Sequence, residues 1–258
     1  IRYFCLSRGL GDVYKRQVFR NLLVQGLNQD RALEVVATAS DPFEARDKII
    51  EYRPDVMTLD IELPRMSGLE FLRKLMPQYP LPVVIISALS EKVFDAMKAG
   101  AVDFVAKPQV TEREQLRNFL CSELPVKIKV ASTARVSRYK KPVAFAADQH
   151  LSVRSDIDII AIGASTGGTE AIAEVIRDFS TDIPGTVIVQ HMPPGFTEMY
   201  ANRLDSQSRV KVKEAKNGDM VAPGQVLIAP GGSEHMSIVK VGDNYKAVSY
   251  THLTLPTN

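Results

Sequence analysis

An α/β fold in two units, each built on a parallel sheet, follows from three observations. Short apolar strands alternate with helices of about ten residues from Val18 to about Cys121. A basic, aperiodic stretch then interrupts the rhythm, and the same alternation resumes at Ile157. Strands joined through helices pair in parallel, with helices covering both faces of the sheet.

In the first run, Val18–Asn28 predicts a helix and Leu33–Ala39 a strand. Asp41-Pro42 opens a helix to Tyr52, with an aspartate at the N-cap and proline at the first helical position. Strand Asp55–Asp60, helix Gly68–Met76 and the β-branched strand Pro82–Ile86 follow. Helix Ser90–Ala99, strand Val102–Ala106 and helix Glu112–Ser122 complete the unit. Between 125 and 155 there are seven Lys or Arg against one acidic residue, Asp148, and no apolar period. That composition predicts a solvated tether, so residues 124–156 read as a basic linker. Beyond it come a strand ending at Ala164, a helix over Thr169–Phe179, strand Gly185–Gln190 and helix Phe196–Asp205. Shorter strands are predicted near Val210–Val212 and at Gln225–Ile228.

Composition narrows the function class. Hydrophobic residues form 45% and charged residues 24% of the 258, enough for two buried cores. A net charge of +2 gives no general drive toward nucleic acid or a membrane surface. No apolar run approaches the ~20 residues of a membrane span. The first residues lack a signal-peptide core. Cys5 and Cys121 follow no metal or redox spacing, which fits a reducing compartment. A cytoplasmic protein without nucleic-acid binding or membrane insertion is expected.

Chemistry collects at predicted strand ends. Asp60, Ser87 and Lys107 each close a strand of the first unit, and the carboxyl edge of a parallel sheet is where such folds bind ligands. A carboxylate, a hydroxyl and an ammonium at one edge suit a phosphoryl group. Taken singly, the three could be a turn cap, a helix start and a solvated lysine. The string Asp55-Val-Met-Thr-Leu-Asp-Ile-Glu-Leu-Pro-Arg-Met-Ser-Gly-Leu69, with Ser87-Ala88 and Ala106-Lys107-Pro108, resembles the receiver domains of two-component response regulators. The resemblance spans Val18 to about Cys121 and implies a flavodoxin-like fold for residues 18–123. It implies that Asp60 is the phosphoacceptor and a metal ligand, Ser87 the switch hydroxyl and Phe104 the switch aromatic. Lys107 would bind the phosphate, and the Glu62 backbone carbonyl would hold Mg²⁺.

Members of that family open with an apolar strand ending in an acidic, Mg²⁺-holding pair. Counting back from Arg20-Asn21-Leu22 places the pair at Tyr14 and Lys15, and a lysine there would repel a divalent cation. Residues 1–17 accordingly read as foreign to the domain, the first strand as lost, and Mg²⁺ as expected in an intact parent.

In the second unit, Gly163-Ala-Ser-Thr-Gly-Gly168 turns from a strand into a helix, and His191 directly follows the next strand. Neighbouring parallel strands lie about 4.8 Å apart, so Ser165 and His191 should meet at one sheet edge. Three readings are open. A phosphate-binding glycine loop would want glycine at Ser165 and an acid after the second strand, where Gln190-His191 stands. A purely structural turn would leave the histidine incidental. Acyl chemistry would use Ser165 as nucleophile, His191 as base, and the Thr166 and Gly167 amides as oxyanion donors.

The strings Ile162-Gly-Ala-Ser-Thr-Gly-Gly168, Gln190-His-Met-Pro-Pro-Gly-Phe-Thr197 and Ile228-Ala-Pro-Gly-Gly-Ser-Glu-His-Met236 resemble the chemotaxis protein-glutamate methylesterases, the CheB family. That family also joins a receiver to an esterase through a linker. The resemblance implies a Rossmann-like catalytic domain over 157–247, incomplete here, with Ser165 and His191 catalytic. It implies hydrolysis of glutamyl γ-methyl esters on methyl-accepting chemoreceptors, deamidation of receptor glutamines, a chemotaxis histidine kinase as phosphodonor, and no cofactor for the ester chemistry. His235 reads as structural or site-lining. The family's third catalytic member, an aspartate, has no counterpart after His191, since Asp205, Asp219 and Asp243 stand in other contexts. Residues 248–258 read as a foreign tail. The other-class alternative is a non-catalytic response regulator acting by phosphorylation-dependent protein binding.

Overall fold

The structure, a computed structural model, describes residues 1–6, 13–63, 65–108, 113–136, 157–232 and 234–250. It divides into two units, Ile1–Lys140 and Lys141–Asn258.

In the first unit β1 (Arg2–Leu6), α1 (Val13–Leu27), β2 (Glu34–Ala39), α2 (Pro42–Tyr52) and β3 (Val56–Asp60) are followed by α3 (Gly68–Gln78) and β4 (Val83–Ser87). Then come α4 (Lys92–Lys98), β5 (Asp103–Ala106) and α5 (Arg113–Asn118). A π-helical turn (Phe119–Glu123) leads on into α6 (Leu124–Ser132). The five strands are parallel in the order β2-β1-β3-β4-β5. This is the flavodoxin-like doubly wound order, with its chain reversal between β1 and β3 beside Asp60. Asp41 caps α2 as expected, its carboxylate accepting from the amides of Phe43 and Glu44.

Three expectations are corrected here. The first strand is present: Tyr3, Phe4, Cys5 and Leu6 are fully buried, and β1 pairs with both β2 and β3. A strand buried on both faces shows no alternation, so five residues read only as an apolar patch. Residues 2–6 thus pack as a strand of this sheet. Tyr14 and Lys15 fall inside α1, not at a strand end. The residues that follow β1 are Ser7 and Arg8, neither acidic, and both lie outside the described residues.

The linker also begins later than residue 124. In α6, Leu124, Ile128 and Ala131 are completely buried and join the core built from Leu23, Val56, Val84 and Val105. Lys127 made this segment look solvated, but its ammonium lies buried 2.8 Å from the Asp103 carboxylate. Of the expected linker, residues 137–156 lie outside the described residues.

The second unit carries β6 (Ile159–Ala164), α7 (Gly168–Arg177), β7 (Gly185–Gln190), α8 (Phe196–Gln207), β8 (Lys211–Glu214) and β9 (Gln225–Ile228). These four strands are parallel in the order β6-β7-β9-β8. A hairpin of β10 (His235–Val241) and β11 (Asn244–Tyr250) packs Ala247 against Val187, Val221 and Leu227. Residues 248–250 belong to β11, and 251–258 lie outside the described residues.

Candidate functional site

The receiver site forms where β3, β4 and β5 end. Asp60 is the last residue of β3 and Ser87 the last of β4, and Lys107 immediately follows β5. Register pairs Asp60 with Ile86 and Ser87 with Ala106, so the three stand in one row. The Lys107 ammonium donates to Asp60 Oδ2 at 2.7 Å, with side-chain exposures of only 7% and 2%. The Glu62 amide donates to Asp60 Oδ1 at 3.0 Å, and the Lys107 amide donates to the Ser87 carbonyl at 2.8 Å. Burial pushes the Asp60 carboxyl up, and the Lys107 ammonium and Glu62 amide only partly offset it. Phe104 is buried, edge-on to Phe94 with ring centres 6.3 Å apart, and the Lys127 ammonium lies 5.9 Å from its centroid. Gly68 approaches so closely that a Cβ there would stand 2.1 Å from the Asp60 carbonyl oxygen. The approach is closed by a Gly68 amide donating to the Ile61 carbonyl at 2.8 Å.

Mg²⁺ needs several oxygen ligands, one or two of them carboxylates. Among the described residues no three acidic, His or Cys side chains gather into a metal site. The Asp60 carboxylate is already ion-paired to Lys107. Among the described residues this donor set falls short of a magnesium site.

The esterase site forms where β6 and β7 end. Ala164 pairs with Gln190, so Ser165 and His191 leave adjacent strands at the same level. The His191 amide donates to the Ala164 carbonyl at 3.3 Å, while the Gly168 amide donates to the Ser165 carbonyl at 2.8 Å. The latter bond closes a turn over residues 165–168 with Gly167 at φ 79, ψ −5. That is type II geometry, which requires positive φ at its third residue and so favours glycine. Ser165, Gly167 and His191 are exposed and Thr166 half-buried. The Thr166 and Gly167 amides belong to the turn that opens α7, where the helix dipole favours negative charge. No hydrogen bond between the Ser165 hydroxyl and the His191 ring is found among the described residues.

Two residues that sequence reasoning passed over hold this edge. Tyr200, buried in α8, donates its hydroxyl to the Thr169 carbonyl at 2.6 Å and so anchors the first turn of α7. Gln190 lies beneath both loops, its amide donating to the Ser165 carbonyl. A polar residue closing an otherwise apolar strand beside His191 was the available signal for Gln190; Tyr200 had none. The three aspartates after His191 stand elsewhere. Asp205 accepts from the Val212 amide, Asp219 pairs with Lys213, and Asp243 lies in the turn of the hairpin. His235 heads β10, exposed, its ring 6.1 Å from that of Tyr250. A cleft of about 800 Å³ beyond the ends of β8 and β9 reaches the His191 loop through Pro194 and Gly195, but neither Ser165 nor His191 lines it.

Comparison with known proteins agrees with this division. Residues 160–255 match the CheB methylesterase family and residues 15–120 the response regulator receiver domain family. The first match runs through β11 into the stretch expected to be foreign. The chain is 58% identical over 228 residues to protein-glutamate methylesterase/protein-glutamine glutaminase 2 of Syntrophomonas wolfei, covering 88% of this chain and 66% of that protein. It is 50% identical over 237 residues to the protein of the same name, without the numeral, from Syntrophotalea carbinolica, covering 88% and 67%. The solved catalytic domain of the Thermotoga maritima CheB methylesterase is 38% identical, covering 38% of this chain and 52% of that one, with a TM-score of 0.36. The chain spans about two thirds of the length of the curated relatives it matches. With a receiver match ahead of a methylesterase match and half or more of the aligned residues identical to these relatives, the chain belongs to the protein-glutamate methylesterase/protein-glutamine glutaminase family.

Proposed function

We propose that this chain hydrolyses glutamyl γ-methyl esters on the cytoplasmic helices of methyl-accepting chemoreceptors, under control of Asp60 phosphorylation by a chemotaxis histidine kinase. The observation that carries the reading is the register of β6 against β7, which brings Ser165 and His191 to adjacent strand ends beside a helix N-terminus. The Ser165 hydroxyl attacks the ester carbonyl and its proton passes to His191. The Thr166 and Gly167 amides take up the oxyanion, and His191 returns the proton to the departing methoxide, releasing methanol. Water then cleaves the acyl-serine and leaves a glutamate. The same steps on a receptor glutamine release ammonia.

Among the described residues no carboxylate pairs with His191. In a serine protease the orienting carboxylate is worth about 10⁴-fold in turnover. The engagement of Asp205 and Asp219 away from His191 also favours a second reading, phosphorylation-dependent binding without catalysis.

Control is proposed to lie in the receiver, a phosphoryl group on Asp60 raising the esterase rate. A Mg²⁺ ion for the phosphorylation step would need acidic ligands beyond Asp60 and the Glu62 carbonyl. The setting is the cytoplasm, where the receptor helices lie, and no described helix is long and apolar enough to cross a membrane. Methanol release from methylated receptor helices, with and without acetyl phosphate, tests the control. Release should rise with the phosphodonor in the wild type and not in Asp60→Asn; equal rates in the wild type would contradict it.

A further inference from the structure

We propose that Gln190 is a positioning residue that clamps the Ser165 turn to the His191 loop, an inference that rests on the esterase reading above. Gln190 closes β7, and only 8% of it is exposed. Its Nε2 donates to the Ser165 carbonyl at 3.0 Å and to the His191 carbonyl at 3.4 Å. One amide group therefore joins the backbones of the two residues that must act together. The other end of the side chain shows that donation is what the position selects. Gln190 Oε1 is buried with no partner, a penalty that an apolar side chain of similar length would not carry. Two facing carbonyls require a donor, and the orphaned acceptor is the consequence.

The turn closes onto this clamp without slack. A Cβ on Gly168 would lie 2.1 Å from Gln190 Oε1 and 2.6 Å from Ala164 Cβ. The first residue of α7 thus rests directly on the Gln190 amide. The His191-to-Ala164 and Gly168-to-Ser165 backbone bonds surround it. With no orienting carboxylate on His191 among the described residues, the relative placement of the two loops depends on such contacts. Misplacing a reacting group by about 1 Å can cost on the order of 10²-fold in rate.

The test uses the full 258-residue chain with Gln190→Met, which keeps the length and removes the donors, and Gln190→Glu, which donates only when protonated. Hydrogen exchange at the Gly168 and His191 amides reads the clamp. Labelling by a fluorophosphonate reads the chemistry: the Ser165 Oγ–P bond forms, P–F breaks, fluoride leaves and the hydroxyl proton passes to His191. In Gln190→Met, exchange at both amides should quicken and labelling slow, each by about tenfold. At pH 7 Gln190→Glu, whose ionised carboxylate repels both carbonyls, should label more slowly than wild type. If Gln190→Met fails to fold, Gln190→Asn, whose shorter amide cannot span both carbonyls, is expected to shift both readouts in the same direction. Unchanged exchange, quickened exchange with wild-type labelling, or wild-type labelling by Gln190→Glu each overturns the proposal. Labelling that survives Ser165→Ala, or that is absent from the wild type, instead removes the nucleophile reading, and exchange alone then judges the clamp.

Discussion

Asp60 is pulled in opposite directions: burial opposes its charge, and the Lys107 ammonium 2.7 Å away supports it. Burial prevails, so the carboxyl titrates above its ordinary value of about 3.9. Only the ionised form attacks phosphorus, and that form is lost as pH falls through the raised pKa. Phosphorylation by acetyl phosphate followed against pH should therefore show an acid limb above the usual aspartate range; a limb at or below that range would refute the shift. Gly68 is a second residue with one permitted identity. Gly68→Ala drives a methyl into the Asp60 carbonyl, and overpacking of this kind costs about 1–3 kcal/mol, measurable by urea unfolding. Asp60, Ser87, Lys107, Ser165 and His191 were legible in the sequence because a strand end can be read from a local apolar run. Gln190 and Tyr200 were not, because their parts depend on loops and helices that come together only in the fold.

Elements were legible in proportion to how local their cause is. The α2 cap is written in Asp41-Pro42, whereas β1 and α6 are defined by what they pack against. Tyr3 to Leu6 form a strand because β2 and β3 supply pairing on both sides. Ile128 is helical and buried because the receiver core lies beneath it. Ile128→Ala should destabilise the first unit by about 2–5 kcal/mol in denaturant unfolding, whereas a linker residue would show almost no effect. Glu44 in α2 tests a different kind of local contact. Partial burial opposes its charge, but Lys48 and the Ser40 amide and hydroxyl outweigh it and hold its pKa at about 2. A carboxylate with a depressed folded pKa stabilises above its unfolded value, about 4.3, and loses that contribution as pH falls toward 2. The melting temperature of Glu44→Gln should thus lie below wild type at pH 6 and converge with it near pH 2. A gap that persists at pH 2 would mean the contact is not electrostatic.

At the scale of the molecule, the chain joins two sheets whose carboxyl edges carry different chemistries. One edge holds a buried carboxylate against a lysine, suited to a phosphoryl group, and the other an exposed serine beside a histidine, suited to an acyl group. The order of the two matches the family to which the chain belongs. The hairpin β10–β11 was the main feature of the second unit to escape sequence reasoning. Its pattern breaks the α/β rhythm, and its register is set by contact with β7 and β9 residues far away in the chain. The central claim is that Ser165 is the nucleophile of ester hydrolysis, and methanol release from a methylated receptor helix by wild type and Ser165→Ala tests it most directly. Release by the wild type that disappears in Ser165→Ala is the predicted result; release at the same rate by both would contradict the account.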